Sequence, residues 1–141
     1  MKKIIGYLLL LVVVVAIAGY YYVFIYAKNH HRDVQSEAAI TIQADSLSAA
    51  FGADEKTANA KFLNKAVEVT GTVLSVDKNQ AGQTMIMLGN ATAFSNVSVT
   101  MATGEIIDAK KIGTNITIKG VCTGALSDVV ITEGRLQGAK D

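Results

Sequence analysis

Residues 4–27 form the longest apolar stretch of the chain and contain no charged side chain. Fourteen of these positions are Ile, Leu, Val or Phe. A helix rises about 1.5 Å per residue, so the stretch is long enough to cross the roughly 30 Å hydrocarbon core of a bilayer. The pattern predicts a transmembrane anchor over residues 1–27. The expected anchoring side chains include apolar residues along the helix and tyrosines at its C-terminal end, where amphipathic rings settle at the headgroup level. They are Ile4, Leu8, Leu11, Val15, Tyr20, Tyr21, Tyr22 and Tyr26.

A cleaved signal peptide is the alternative interpretation of this stretch. Lys2 and Lys3 form a basic start, and Ala16-Ile17-Ala18 resembles a cleavage site with small residues at its first and third positions. Cleavage near Ala18 would give a secreted or periplasmic protein. However, residues 20–27 remain apolar after that site, and cleavage would leave them exposed at a new terminus. We therefore expect an uncleaved anchor.

Charges on the two sides of the stretch predict its orientation. Lys2, Lys3 and the α-amino group precede it, and Lys28 and Arg32 follow it. The small positive excess before the stretch favours a cytoplasmic N-terminus. We expect a single-pass protein of the inner or cytoplasmic membrane whose C-terminal domain is extracytoplasmic.

The next part of the chain changes from a polar linker to a helical pattern. Residues 28–43 are expected to form the linker, with Ile40 and Ile42 beginning a short extended segment. Apolar positions then follow helical spacing, which predicts two short helices between residues 44 and 63. Asp45 and Asp54 are candidate N-caps, and Gly52 separates the helices. The expected inner positions are Leu47, Ala50, Phe51, Ala58, Phe62 and Leu63.

From residue 65 the apolar positions alternate with a period of two, which predicts half-buried strands. Five strands are expected, near residues 67–74, 84–88, 96–101, 116–123 and 128–132, and Gly71 suggests a bulge in the first. A short helix capped by Thr103 is expected over residues 104–111, and residues 134–141 are expected to be polar, with residues 137–141 as the tail of the chain. The predicted interior positions are Val69, Val73, Val99, Ile118 and Cys122, and the predicted outward positions are Thr70, Thr72, Ser98 and Thr117.

Three strands, a short helix and two more strands make up the element order of an OB-fold, a mainly β, five-stranded Greek-key barrel. The runs Ala53–Lys65, Val67–Val73 (VEVTGTV), Ile118–Gly124 (IKGVCTG) and Asp128–Thr132 (DVVIT) resemble the membrane-anchored bacterial family called tRNA-anti-like. The resemblance covers roughly residues 44–136. It implies an N-terminal hydrophobic segment, a helical lead-in and an OB barrel at residues 44–136. It implies no demonstrated activity and supplies no functional residues.

Charge and aromatic content argue against nucleic acid as the ligand. Four of the 13 basic residues and none of the 12 acidic ones lie in residues 1–32, so residues 33–141 have nine basic and twelve acidic side chains and a net charge of −3. OB domains that hold single strands combine a basic groove with aromatic stacking platforms. The second and third strands lack Lys and Arg between residues 84 and 101, and Phe94 is the only aromatic residue near them. Nucleic acid is therefore an unexpected partner.

Residues able to support catalysis or metal binding are scarce. His30 and His31 are adjacent and have only Asp33 nearby, which is a poor zinc chelate because zinc needs three or four converging ligands. No histidine follows His31 to activate a nucleophile. Cys122 alternates with interior positions and is expected to be a small core residue. The sequence predicts no catalytic site, metal or cofactor.

Two hypotheses of function follow. In the first, the domain is an envelope binding module whose partner is a protein, a glycan or a small molecule, and its binding face includes Phe94, Asn96, Ser98 and Thr100. In the second, the chain is a structural accessory subunit that assembles through its transmembrane helix.

Overall fold

The computed structural model of the chain describes residues 2–26 and 33–138, and the chain divides into two compact units between Asp33 and Val34. The first unit is a helix, α1 (Lys2–Tyr21), that continues as a π-helical segment (Tyr22–Tyr26). Its side chains from Ile4 to Phe24 are all exposed, and this span has a mean hydropathy of 2.5. This helix is long and apolar enough to cross a membrane, but a signal sequence has the same length and composition. The expected anchoring side chains up to Tyr22 lie on it. The side chain of Tyr26 and the His30–His31 pair lie outside the described residues.

The second unit contains two helices and six strands. The helices are α2 (Ala44–Ala53) and α3 (Glu55–Phe62). The strands are β1 (Ile40–Gln43), β2 (Ala66–Lys78), β3 (Thr84–Leu88), β4 (Val97–Met101), β5 (Asn115–Ala125) and β6 (Val129–Gln137). The strand order is β1-β2-β3-β4-β6-β5, and pairing of β2 with β5 closes a five-stranded barrel, with β1 added parallel to β2. The predicted fold class is therefore confirmed.

The barrel interior follows the period of two. Val69, Val73, Val99, Ile118 and Cys122 are buried in one core cluster, as predicted. The predicted outward residues are exposed or half-buried. Two of them meet across neighbouring strands, since the hydroxyls of Thr70 and Thr117 lie 2.8 Å apart. A shift of one residue would move every interior side chain to the other face, so the buried face fixes the register.

The two helices close one end of the barrel with an apolar stripe. Leu47, Phe51, Ala58 and Phe62 are buried, and the rings of Phe51 and Phe62 are 6.2 Å apart. These four positions were predicted from their spacing, but Leu63, which was also predicted to face inward, is exposed.

Only one of the two predicted helix caps is correct. Asp54 caps α3, because its carboxylate accepts from the Thr57 amide and hydroxyl, and these bonds lower the pKa of Asp54. Asp45 is not a cap. Helix α2 begins at Ala44, directly after β1, so the cap position is Gln43, two residues before Asp45, and it makes no side-chain bond. The strand thus delivers the chain straight into the first helical turn, and Asp45 lies inside that turn.

Two local predictions along the barrel were wrong. The bulge in β2 lies between Val73 and Ser75 and not at Gly71. Gly71 is instead a point of close approach, since a Cβ there would lie 2.7 Å from Cβ of Ala44. The predicted helix over residues 104–111 is only a 3₁₀ turn at Ala109–Lys111, capped by Asp108 and not by Thr103.

The chain before β1 and the end of β6 belong to the folded domain. We call residues 34–39 the strap. Val34 packs with Ala66 and Val121 on the outer side of the sheet, so the folded unit starts before the predicted end of the linker at residue 43. At the other end, β6 continues through Gln137, although residues 134–141 were predicted to form a polar end. Gly134 permits this extension, because a Cβ there would meet Val99 Cγ1 at 2.6 Å.

Candidate binding surface

Two of the four predicted binding residues lie together on the outside of the barrel. Ser98 and Thr100 are half-buried on β4, directly opposite Met87 and Met85 of β3. We call these four residues the β3–β4 face. Within the pleated sheet their side chains project away from the core, since Val97, Val99 and Met101 take the inner positions.

The β3–β4 face lacks charge. No residue from 79 to 104 carries an ionisable acidic or basic side chain, and this range includes both strands and the loop between them. Charged residues belong to the flanking strands: Asp77 of β2 is the register partner of Met85, and Glu133 of β6 lies between the partners of Val99 and Met101. The surface offers hydroxyls and thioethers, which are donors, weak acceptors and polarisable apolar groups. This combination suits an uncharged partner surface.

The other two predicted residues lie in the β3–β4 loop (residues 89–96), and they differ from each other. Phe94 has a relative exposure of 105% and is directed to solvent. Asn96 instead holds the loop together: its side-chain oxygen accepts from the Asn90 amide at 3.0 Å. Gly89 fits closely against this side chain, because a Cβ there would lie 2.3 Å from Asn96 Oδ1. Phe94 and Asn96 therefore belong to the loop and are not part of the β3–β4 face that contains Ser98 and Thr100.

A second loop, absent from the sequence prediction, meets the first. Leu126 has a relative exposure of 94% and begins the β5–β6 turn (residues 126–128). The Asn96 amide donates to Asp128 Oδ1 at 2.8 Å, and the Val129 amide donates to the Asn96 carbonyl at 2.9 Å. The only sequence signal for this tip is a leucine directly before Ser127 and Asp128, and nothing in the sequence relates it to Phe94.

Shallow grooves lie beside both loops. One, of about 410 Å³, separates Phe94 from α2 and is lined in part by Ser48 and Gly52. The other, of about 450 Å³, lies between α3 and the β5–β6 turn and is lined in part by Leu63 and Leu126. Both are open to solvent and mainly apolar in lining.

Lys119 of β5 does not contribute to a basic surface. Its side chain is buried under the strap. Its ammonium group donates to the carbonyls of Gln35 at 2.8 Å and Glu37 at 2.6 Å. A buried, bonded ammonium is not available to a phosphate.

Reactive groups are arranged for structure in the described part of the chain. Cys122 is buried in the core, and burial raises the pKa of its thiol, so the nucleophilic thiolate is disfavoured. Within residues 2–26 and 33–138, no three His, Cys, Asp or Glu side chains come together as a metal site would require.

Comparison with known proteins supports the fold. The tRNA_anti-like family model matches residues 1–135 of the chain. The chain belongs to the tRNA_anti-like family. The match includes the N-terminal helix as well as the barrel, as the sequence resemblance implied.

One solved structure similar to this family member is a "putative nucleic acid-binding lipoprotein" from Klebsiella pneumoniae subsp. pneumoniae. It aligns with a TM-score of 0.55 at 13% sequence identity and covers 69% of this chain and 92% of its own. At this identity the likeness concerns the fold. No curated protein matches the sequence significantly.

Proposed function

We propose that this protein is a non-enzymatic binding module, held at the cytoplasmic membrane by α1 with its OB domain outside the cytoplasm. In this proposal the β3–β4 face binds another envelope protein. The observation that carries the proposal is the absence of charge from residues 79–104 together with Met85 and Met87 on the outer surface. The centres of protein–protein interfaces are depleted in charge and enriched in methionine and aromatic residues.

Nucleic acid is the alternative ligand suggested by the name of the solved relative. Phosphate neutralisation supplies nearly all non-specific affinity for nucleic acid, and the β3–β4 face has no Lys or Arg to supply it. Only Phe94 could stack on a base near this face. We expect a dissociation constant for single-stranded DNA or RNA weaker than about 1 mM, or less than roughly 4 kcal/mol of binding free energy.

Fluorescence anisotropy with labelled oligonucleotides, at an ionic strength near that of the cell, tests this expectation. Full-length protein in detergent should leave the anisotropy unchanged. Micromolar binding that weakens steeply with added salt would assign the domain to nucleic acid and overturn the protein-binding proposal.

The direct test of the proposal is site-specific photocrosslinking in living cells. A benzophenone amino acid replaces Met87 at the proposed face, and the same group replaces Lys111 in the 3₁₀ turn as the matched exposed control. The Met87 site should yield a discrete crosslinked protein, identified by mass spectrometry, that the Lys111 site does not. Crosslinks confined to probes between Ile4 and Phe24 would favour the alternative, a structural accessory subunit that assembles through its helix.

A further inference from the structure

The two most exposed large apolar side chains of the OB domain are Phe94 and Leu126, at the tips of separate loops. Neither belongs to the buried core clusters. Scattered exposed apolar residues are ordinary, but neighbouring ones form a surface that water solvates poorly. Their value as a site therefore depends on whether the two tips lie together.

The hydrogen bonds between the loops place the tips at the same end of the barrel. Asn96 bonds to Asp128 and Val129, and each tip is two residues from this junction. Two residues span at most about 7 Å, so the Cα atoms of Phe94 and Leu126 are within about 20 Å of each other. These hydrogen bonds also hold the bases of the two loops in place, so the tips extend from an ordered part of the domain.

Little charge would have to be dehydrated if the two loops alone entered an apolar medium, while Asp45 and Glu55, which line the grooves beside Phe94 and Leu126, stayed in water. Residues 89–96 contain no charged side chain. The β5–β6 turn contains only Asp128, and its carboxylate already accepts the Asn96 amide. Phe and Leu are the residue types that enter the boundary between lipid headgroups and acyl chains. No basic residue lies in either loop, so the fit is to the apolar boundary layer of the bilayer and not to anionic headgroups.

The chain itself supplies a reason for lipid to be the partner. Under the proposed function α1 remains in the membrane, and the seven residue-to-residue steps from Tyr26 to Asp33 can extend by at most about 25 Å. The domain therefore stays at the bilayer surface, where even weak lipid contacts are made at high effective concentration. The folded chain begins at Val34, which packs beside Val121 of β5. Because β5 ends at Ala125, the point where the linker joins the domain is only a few residues from the β5–β6 turn.

We propose that Phe94 and Leu126 enter the lipid interface and hold this end of the barrel against the bilayer. The inference rests on the proposed membrane anchor and is independent of the protein-binding role of the β3–β4 face. Contact at this end leaves the residues of the β3–β4 face, which lie along the strands, available to a partner.

Single-tryptophan fluorescence tests the inference, because the natural chain contains no tryptophan. The variants Phe94→Trp and Leu126→Trp, and the control Ala81→Trp, are made in the full chain and reconstituted into phosphatidylcholine vesicles. Ala81 is exposed in the turn that precedes β3, whereas the Phe94 loop follows β3, so the control probes the other end of that strand. All three sites are exposed, so the variants should unfold at the temperature of the native chain.

Vesicles with brominated acyl chains should quench the Phe94→Trp and Leu126→Trp variants and shift their emission to the blue, while the Ala81→Trp variant is quenched only by aqueous acrylamide. Equal behaviour of all three variants, with the protein still floating with the vesicles, would overturn the lipid contact and leave the anchor intact. Tips shielded from both acrylamide and bromine would mean that a second copy of the chain covers them, and the inference would be wrong. A chain that does not float with vesicles would overturn the anchor and this inference together.

Discussion

Lys119 offers the sharpest test of how the strap is held to the barrel. Its side chain is 8% exposed, and its ammonium group bonds to two strap carbonyls at 2.8 and 2.6 Å. The Lys119→Met substitution keeps an unbranched side chain of similar length and removes the charge and both hydrogen bonds. We therefore expect the strap to loosen and the domain to lose stability.

The magnitude is a balance of two terms. Hydrogen bonds to charged groups contribute about 1.5–3 kcal/mol each, so the two bonds amount to about 3–6 kcal/mol. Against this, methionine avoids the cost of removing an ammonium group from water, which is several kcal/mol for a fully buried ion. Lys119 is not completely shielded, so we expect the bonds to dominate and the free energy of unfolding to fall by about 1–3 kcal/mol.

Urea unfolding of the full chain in detergent, followed by circular dichroism of the β-sheet, measures the change. The matched control is Lys111→Met, an exposed lysine in the 3₁₀ turn, which should stay within about 0.5 kcal/mol of the native chain. A second readout is proteolysis of the strap, which should accelerate only in the Lys119→Met variant. Native or increased stability of that variant would refute the reasoning and show that apolar packing of Val34 holds the strap.

Three further predictions concern the core. Val69→Asp should destabilise the domain by at least about 4 kcal/mol by burying an unpaired carboxylate, while Thr72→Asp should stay within about 0.5 kcal/mol; equal melting temperatures would show a wrong register. Gly120→Ala should cost about 1–3 kcal/mol, because its Cβ would lie 2.6 Å from Ile131 Cγ2, whereas Gly52→Ala should stabilise α2 by up to about 1 kcal/mol; a reversed order in urea unfolding would contradict this packing. Burial raises the pKa of the Cys122 thiol above its ordinary 9.0, so the contribution of this thiol to stability is complete below pH 9.0 and falls above it. Maleimide should label Cys122 only as fast as the domain unfolds, and rapid labelling at neutral pH would show an accessible thiolate.

The sequence predicted the features that depend on local periodicity. An uninterrupted apolar run reports a helix of membrane-spanning length whatever surrounds it, and α1 forms over that run. The alternation around Val69 and Ile118 fixed which side chains face the core, because only one register buries a complete apolar face. The cap at Asp54 was also readable, since a cap requires only neighbouring residues.

The candidate site was readable only in part. Ser98 and Thr100 follow from strand alternation and lie together as expected, but their partners Met85 and Met87 depend on how β3 pairs with β4. Asn96 has a polar side chain that could bind a partner. However, its hydrogen bonds with Asn90 and Asp128 stabilise the loop instead. The sequence did not predict Leu126 as a site residue, because Leu126 and Phe94 are more than thirty residues apart and only the fold brings their loops together.

Pairing between distant segments decided the remaining features. The strap and β1 are too short to form alone, and they are ordered because β2 and β5 offer them a surface. The end of β6 carries polar outward side chains, so only its pairing with β5 reveals it as a strand. Conversely, the segment near Ile106 has helical spacing but forms only one short turn. Ile107 packs into the core while Ile106 remains 80% exposed, so the segment buries too little apolar surface to stabilise a longer helix. Local pattern thus determined which residues are apolar on one face, and tertiary contact determined which short segments had a surface on which to fold.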